Sequence, residues 1–337
     1  MSERNRRAYP TLFGFDFQTN AAIYLMIDKI FELEQIRIEG NHEDIELKLA
    51  DGSYILGQAK SIVKGSSDYK NVIKNLEKAL VTLSEGSIST NCKELILVTN
   101  SYNPLNNELS LKIFGGTPTR RAFSDLPQTD QDRIIAITKK INVSIEIEKF
   151  VIQTIPFETD DDKERYKFIR SEVQRFLDNY VEGANGITDK LLRLWQDKLT
   201  KNGTKSKASI KISKKELILQ ILILLTDINS YDDDYINSFD IDLYDDIKEK
   251  YSEIIEYSCS LFEIYTKILT EFSKYQSHSN INKKRIQFIE EKWELFADNF
   301  RLENMDPYIV EGLTKIIMYS VIRRQRKFQT ISRTFQI

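Results

Sequence analysis

Two cysteines and two histidines in 337 residues set the first limit on chemistry. Cys92 and Cys259 stand far apart with no CxxC spacing, and two imidazoles cannot complete the usual zinc ligand sets. Reduced, buried thiols are therefore expected, and no structural zinc. Proline (6) and glycine (12) are too scarce for long flexible linkers, so helix should dominate. No apolar run is long enough to span a bilayer; the strongest, residues 217–225, is broken by Gln220. The polar start MSERNRR leads into no apolar segment of signal-peptide length, and a cytoplasmic protein without membrane association is expected. An excess of positive charge is missing too. The 48 Lys and Arg nearly cancel the 51 Asp and Glu, so any nucleic-acid binding must come from local basic patches. Neither GxxxxGK[ST] nor HExxH occurs, which excludes a P-loop ATPase and a zincin protease.

What is present is a globular balance, 41% hydrophobic and 29% charged, with chain enough for roughly two domains of about 150 residues. Residues 18–31 carry Ile23, Ile27, Ile30 and Phe31 at helical spacing. A β meander follows over 36–39, 44–49 and 53–60, with Asp51-Gly52 as a turn signal. Residues 66–83 return to helical period through Tyr69, Val72, Ile73, Leu76 and Leu80, with Ser66 or Ser67 as cap. The apolar run 94–99, ending at Asn100, and the run 150–155 read as buried strands, with a helix over 129–141 between them. Residues 1–157 thus form an α/β domain. From 158 to 337 the pattern is consecutive amphipathic helices, near 161–182, 187–201, 213–228, 240–275, 280–300 and 306–326, with a short β-compatible stretch at 209–212.

The segment able to carry chemistry is Glu43-Asp44-Ile45, a short hairpin, then Gln58-Ala59-Lys60. A three-residue turn over Ala50-Asp51-Gly52, with Gly52 left-handed in a G1 bulge, pairs residue 49 with 53 and sets Asp44 opposite Gln58, with Lys60 on the same face. A two-residue type I′ turn at Asp51-Gly52 instead puts Glu43 in Asp44's place. The first register is favoured; Ile45, Leu47 and Leu49 share one face and Asp44, Glu46 and Lys48 the other, as at a sheet edge that meets solvent or substrate. A carboxylate, an amide oxygen and a main-chain carbonyl suit a hard cation such as Mg²⁺ or Mn²⁺, and a lysine beside them can stabilise charge developing on a phosphate.

The order Gly14-Phe15-Asp16-Phe17-Gln18, then Glu43-Asp44-Ile45, then Gln58-Ala59-Lys60, a long helix, and Leu95 to Asn100 resembles the PD-(D/E)XK double-stranded-DNA endonuclease domain. It is most similar to the versions in bacterial anti-phage effectors, the CD-NTase-associated nucleases of CBASS and the nuclease subunit of Lamassu systems. The resemblance covers residues 10–157. It implies a restriction-endonuclease-like fold, with Asp44 and Gln58 as metal ligands together with the Ala59 carbonyl, and Lys60 as the catalytic lysine. It also implies Gln18 at the rim of the active site. Gln58 stands where the family more often has Glu or Asp, so another carboxylate is expected to help, in the order Glu43, Glu46, Glu39. The helical second half lacks the α/β pattern of a CBASS nucleotide sensor. That implies the Lamassu-type arrangement, in which an SMC-like ATPase complex and an accessory subunit hold the nuclease, and release with self-association into a homo-oligomer activates it on double-stranded DNA. The alternatives are a non-catalytic assembly subunit with a nuclease-like fold, and an RNA-directed nuclease.

Other signals are weaker. Trp195 and Trp293 read as core anchors. His42, next to Glu43, is a candidate general base or a group that supports the site from behind its ligands. Lys64, Lys70 and Lys74 are candidate phosphate contacts. An acidic run from 227 to 246 and a basic tail with Arg323, Arg324, Arg326, Lys327 and Arg333 stand out by charge. The tail's Phe328 and Phe335 make it a candidate contact for a partner or DNA.

Overall fold

The computed structural model describes residues 8–62, 69–116, 118–158, 160–184, 186–225, 234–257 and 261–337. Lys64, Ser66, Ser67, Cys259, the Lys70 side chain and residues 227–233 of the acidic run lie outside what is described. The chain divides into two compact units. One holds the residues up to Asn179 together with Thr188–Lys214, the other Tyr180–Ile187 with Lys215–Ile337. The first unit therefore runs past residue 157 and includes helices and a short strand from the region read as mainly helical.

The first unit is mixed α/β. Its described helices include α1 (Tyr9–Asp28), α2 (Tyr69–Ile88), α3 (Glu108–Phe114), α4 (Gln128–Lys140), α5 (Asp162–Arg165) and all but the last residue of α6 (Lys167–Tyr180), and its seven described strands are β1 (Leu33–Ile38), β2 (Ile45–Leu49), β3 (Tyr54–Lys60), β4 (Cys92–Thr99), β5 (Arg120–Ala122), β6 (Phe150–Thr154) and β7 (Ile212–Ser213). They form one sheet in the order β5-β6-β4-β3-β2-β1-β7. The pairs β3/β4 and β4/β6 are parallel. The β1/β2, β2/β3, β5/β6 and β1/β7 pairs are antiparallel.

Helix α1 begins nine residues before the expected start, because Pro10 is tolerated in a first turn and Phe13 and Phe17 extend the buried face toward the N-terminus. Gly57 lets α1 sit close over the sheet: a Cβ there would lie 3.3 Å from both Leu25 and Ile45 side-chain atoms. On the opposite face α2 buries Leu76, Leu80 and Leu83 against Leu56, Leu95 and Leu97. Each such leucine contributes about 1.5–3 kcal/mol by leaving water.

Two expectations need correction. Strand β2 is interior rather than at an edge, with β1 on one side and β3 on the other. Glu46 is accordingly buried, accepting the His42 N–H at 2.6 Å and lying 3.9 Å from the Lys211 ammonium. The physical reason lies far along the chain. Buried Arg37 of β1 donates to the main-chain carbonyls of Asn202, Lys205 and Ile210, and so draws the segment after α7 (Thr188–Gly203) over this part of the sheet.

The described elements beyond Lys214 are helical, among them α8 (Lys214–Leu225), α9 (Ile241–Tyr257), α10 (Leu261–Lys274), α11 (Ile281–Lys292), α12 (Glu294–Ala297), α13 (Pro307–Arg323) and α14 (Gln325–Phe335). Within the helix expected over 240–275 the described residues form α9 and α10, and residues 258–260 between them lie outside what is described. The segment 280–300 divides, with Trp293 between α11 and α12. Trp195 is fully buried against Phe176, as expected of a core anchor. Trp293 is not: it is half-buried under the Lys315 ammonium. The tail residues Phe328 and Phe335 are buried too, against Tyr265 and Tyr180. These rings are committed to the second unit's own packing and do not present a contact surface. Among the described residues no helix is long and apolar enough to cross a membrane.

Candidate active site

The β2–β3 hairpin has the register that places Asp44 across from Gln58. Ile45 pairs with Gly57 and Lys48 with Tyr54, and the Leu49 N–H donates to the Ser53 carbonyl at 2.9 Å. Gly52 takes φ +82° and donates back to Leu49, the glycine-dependent bulge expected of Ala50-Asp51-Gly52. One residue beyond the last paired position, the Asp44 carboxylate accepts from the Gln58 side-chain amide and from the Ala59 N–H at 3.1 Å. The Lys60 ammonium stands 3.8 Å from the same carboxylate oxygen. Asp44, Gln58 and Lys60 thus meet at the carboxyl end of β3, the strand that lies between parallel β4 and antiparallel β2.

Three more residues fix this geometry. The Asp44 carbonyl accepts the Glu39 N–H at 2.9 Å and the Gln18 side-chain amide at 2.8 Å, so the backbone at Asp44 is clamped from β1 and from α1. Gln18 is 5% exposed; it holds Asp44 from below and does not stand at a solvent rim. Thr82 of α2 donates its hydroxyl to the Gln58 amide oxygen. Asn100, at the end of β4, accepts the Ile62 N–H and donates to the Ile62 and Phe157 carbonyls at 2.7–2.9 Å, which pins the chain just past Lys60.

Thr82 and Asn100 are not singled out for these roles by sequence reasoning. A signal for Thr82 exists: it is a hydroxyl beside the Leu76-Leu80-Leu83 apolar face of a helix that crosses directly from β3 to β4.

The electrostatics are dominated by burial. Glu43 is 6% exposed, and desolvation, followed by repulsion from Asp44, raises its carboxyl from 4.5 to about 8; a Thr82 hydrogen bond opposes this. Its Oε1 has no hydrogen-bond partner among the described residues. Asp44 is raised as well, by burial, against the lowering effect of Lys60. His42 has its ring Nδ1 2.9 Å from the Ser89 hydroxyl. Glu46 is engaged with His42 and Lys211, which leaves Glu43 as the carboxylate beside Asp44 with unused capacity.

Among the described residues no group of three His, Cys, Asp or Glu side chains converges. The donors here are hard oxygens: two adjacent carboxylates, one with an unpartnered buried oxygen, and the Ala59 carbonyl, which leaves the ladder on the same open edge as its N–H. That set suits Mg²⁺ or Mn²⁺, which bind through one or two carboxylates and keep several waters for substrate oxygens to replace. Gln58 presents its amide nitrogen to Asp44. Rotating the amide would turn the oxygen there instead, and Thr82 can satisfy either orientation because a hydroxyl both donates and accepts. No family model, no curated protein and no solved structure matches this chain.

Proposed function

We propose that the chain is a metal-dependent DNA endonuclease of the restriction-endonuclease-like type. The observation that carries this reading is the convergence of the Asp44 carboxylate, the Gln58 amide and the Lys60 ammonium on one face at the carboxyl end of β3, beside the orphaned oxygen of Glu43. Asp44, Glu43, Gln58 through its oxygen and the Ala59 carbonyl would hold Mg²⁺ or Mn²⁺. Such a cation supplies polarisation of a phosphate and acidifies a bound water. Lys60, with its side chain 24% exposed, is able to reach a non-bridging phosphate oxygen and stabilise the charge that develops there. Gln18 and Thr82 touch no substrate in this scheme; they position Asp44 and Gln58. The helical second unit would dock an SMC-like complex with its accessory subunit, or a second copy of the chain. Since one active site cuts one strand, self-association gives a double-strand break and keeps the single chain quiet, as an anti-phage effector requires.

A second reading has its own support. Gln58 donates directly to Asp44, closing the position a cation would take, as in a nuclease-like assembly subunit without catalysis. Plasmid cleavage in Mg²⁺ or Mn²⁺, run beside Asp44→Ala and Lys60→Ala with mass followed by light scattering, decides between them. Cleavage lost in both variants and rising with the oligomer supports the nuclease. Absence of cleavage by every assembly state, with no metal-induced thermal shift, supports the subunit. A parallel RNA substrate separates the two polymers.

A further inference from the structure

The helix that supplies Thr82 has a second face that the site does not use. α2 packs Leu76, Leu80 and Leu83 inward, and its carboxylate Glu77 pairs with Lys140 of α4 at 2.8 Å. At 100° per residue, Glu77 lies on one flank of α2 and Thr82 on the other. Counting back from Thr82 by four, seven and eleven residues gives Lys78, Asn75 and Asn71 along the same flank, with Lys74 beside them. Between Asn71 and Thr82 this flank carries no acidic residue. Lys74 and Lys78 are exposed and form no ion pair with the described residues. Lys78 is one turn from Thr82, and Thr82 touches Gln58. Lys74 is a further turn along, about 12 Å from Thr82 by the helical rise.

We propose that this flank of α2 is a track for the phosphodiester backbone of a nucleic-acid strand, gripped by Lys78 and Lys74 and delivered to Lys60. The inference deepens the nuclease reading and rests on it. The chemistry is that of a polyanion. Two uncompensated ammonium groups on successive turns lead to a third at the site, where Glu43 and Asp44 would otherwise repel the substrate. The neutral Asn75 side chain between them can hydrogen-bond a phosphate or sugar oxygen without adding charge. A chain with net charge −3 has no global attraction to offer, so a local unpaired stripe is what nucleic-acid affinity requires here.

The test is binding of a labelled 20-base-pair duplex to the full chain in EDTA across a salt series, with the same duplex then cut in Mn²⁺. The Lys74→Gln/Lys78→Gln double variant is compared with Lys205→Gln/Lys207→Gln, which removes the same charge from the segment after α7. We expect the α2 variant to bind at least tenfold more weakly at low salt. The slope of log K against log salt should fall by about 2, near 0.9 for each phosphate that is no longer neutralised. The control variant should stay near wild type in both. Equal weakening in the two variants, or an unchanged slope in the α2 variant while the wild type binds and cuts, overturns the track and leaves the nuclease reading standing. Failure of the wild type to bind or cut any duplex or single strand overturns both.

Discussion

The Gln18 side-chain amide donates to the main-chain carbonyl of Asp44 at 2.8 Å, so a residue of the first helix sets the position of a carboxylate 26 residues later. The same carbonyl receives the Glu39 N–H, and Glu39 itself is held at φ +52°. Removing Gln18 therefore leaves the carbonyl one partner while loosening the carboxylate. Gln18→Leu, which keeps the volume, should cost about 1 kcal/mol of stability, the net worth of one hydrogen bond. Its effect on cleavage should be larger, about tenfold to a hundredfold, because sub-ångström placement of the reacting groups is lost. Urea unfolding and single-turnover cleavage give the two numbers. A loss of activity no greater than the loss of folded protein would show that Gln18 merely fills space.

Gln58 offers a sharper contrast. Gln58→Glu places a third carboxylate against Asp44 and Glu43, with Thr82 still able to donate to it. Without metal the like charges should lower stability. With Mg²⁺ the extra ligand should raise affinity, so the metal-induced rise in Tm should exceed that of the wild type. Scans in EDTA and in millimolar Mg²⁺ read both effects. A variant destabilised equally in the two buffers would mean that no cation reaches this face.

The hairpin is legible in the sequence because its determinants are local. Asp51 accepts from Ser53 across the turn, Gly52 alone adopts the left-handed conformation cheaply, and one bulge fixes every pairing back to Ile45. Asp44 and Gln58 then follow by counting. What escapes the sequence depends on contacts between distant segments. Nothing near Glu46 signals that residues 202–211 fold back over it, because the cause is Arg37 binding carbonyls more than 160 residues away. Residues 209–212 read as β-compatible, but β7 is only Ile212–Ser213, and pairing with Gln35 and Ile36 decides where it lies. The rings of the basic tail look free in the sequence only because Tyr180 and Tyr265 are remote in the chain.

Glu43 gives a pH dependence with a definite sign. Its carboxyl titrates near 4.5 when unfolded and is raised to about 8 by burial beside Asp44. Between those values the folded protein keeps a proton that the unfolded chain has released, so stability falls as pH rises from about 5 to 8 and levels off above. Glu43→Gln mimics the protonated side chain and should flatten that slope. The check is urea midpoints from pH 5 to 9 in EDTA for both proteins. Parallel curves would place the titrating group elsewhere.

Arg37 provides the last expectation, and it concerns the sheet's far side. Arg37 is 1% exposed, and its guanidinium donates to main-chain carbonyls: Asn202 at 2.6 Å, Lys205 at 2.7 Å, Ile210 at 3.0 Å and, more weakly, Glu39 at 3.4 Å. Two of these lie at the end of α7, where a cation also complements the helix dipole. A methionine there would fill much of the volume and leave several buried carbonyls without donors, so Arg37→Met should cost about 3 kcal/mol or more. Lysine keeps the charge but cannot present a planar fork to carbonyls in three directions, and Arg37→Lys should recover only part of the loss. Hydrogen exchange adds a local reading: protection should fall first at Ile212 and Ser213, whose pairing with β1 depends on the segment Arg37 holds. Full stability in Arg37→Met, with β7 still protected, would show that the β1/β7 ladder holds this segment by itself.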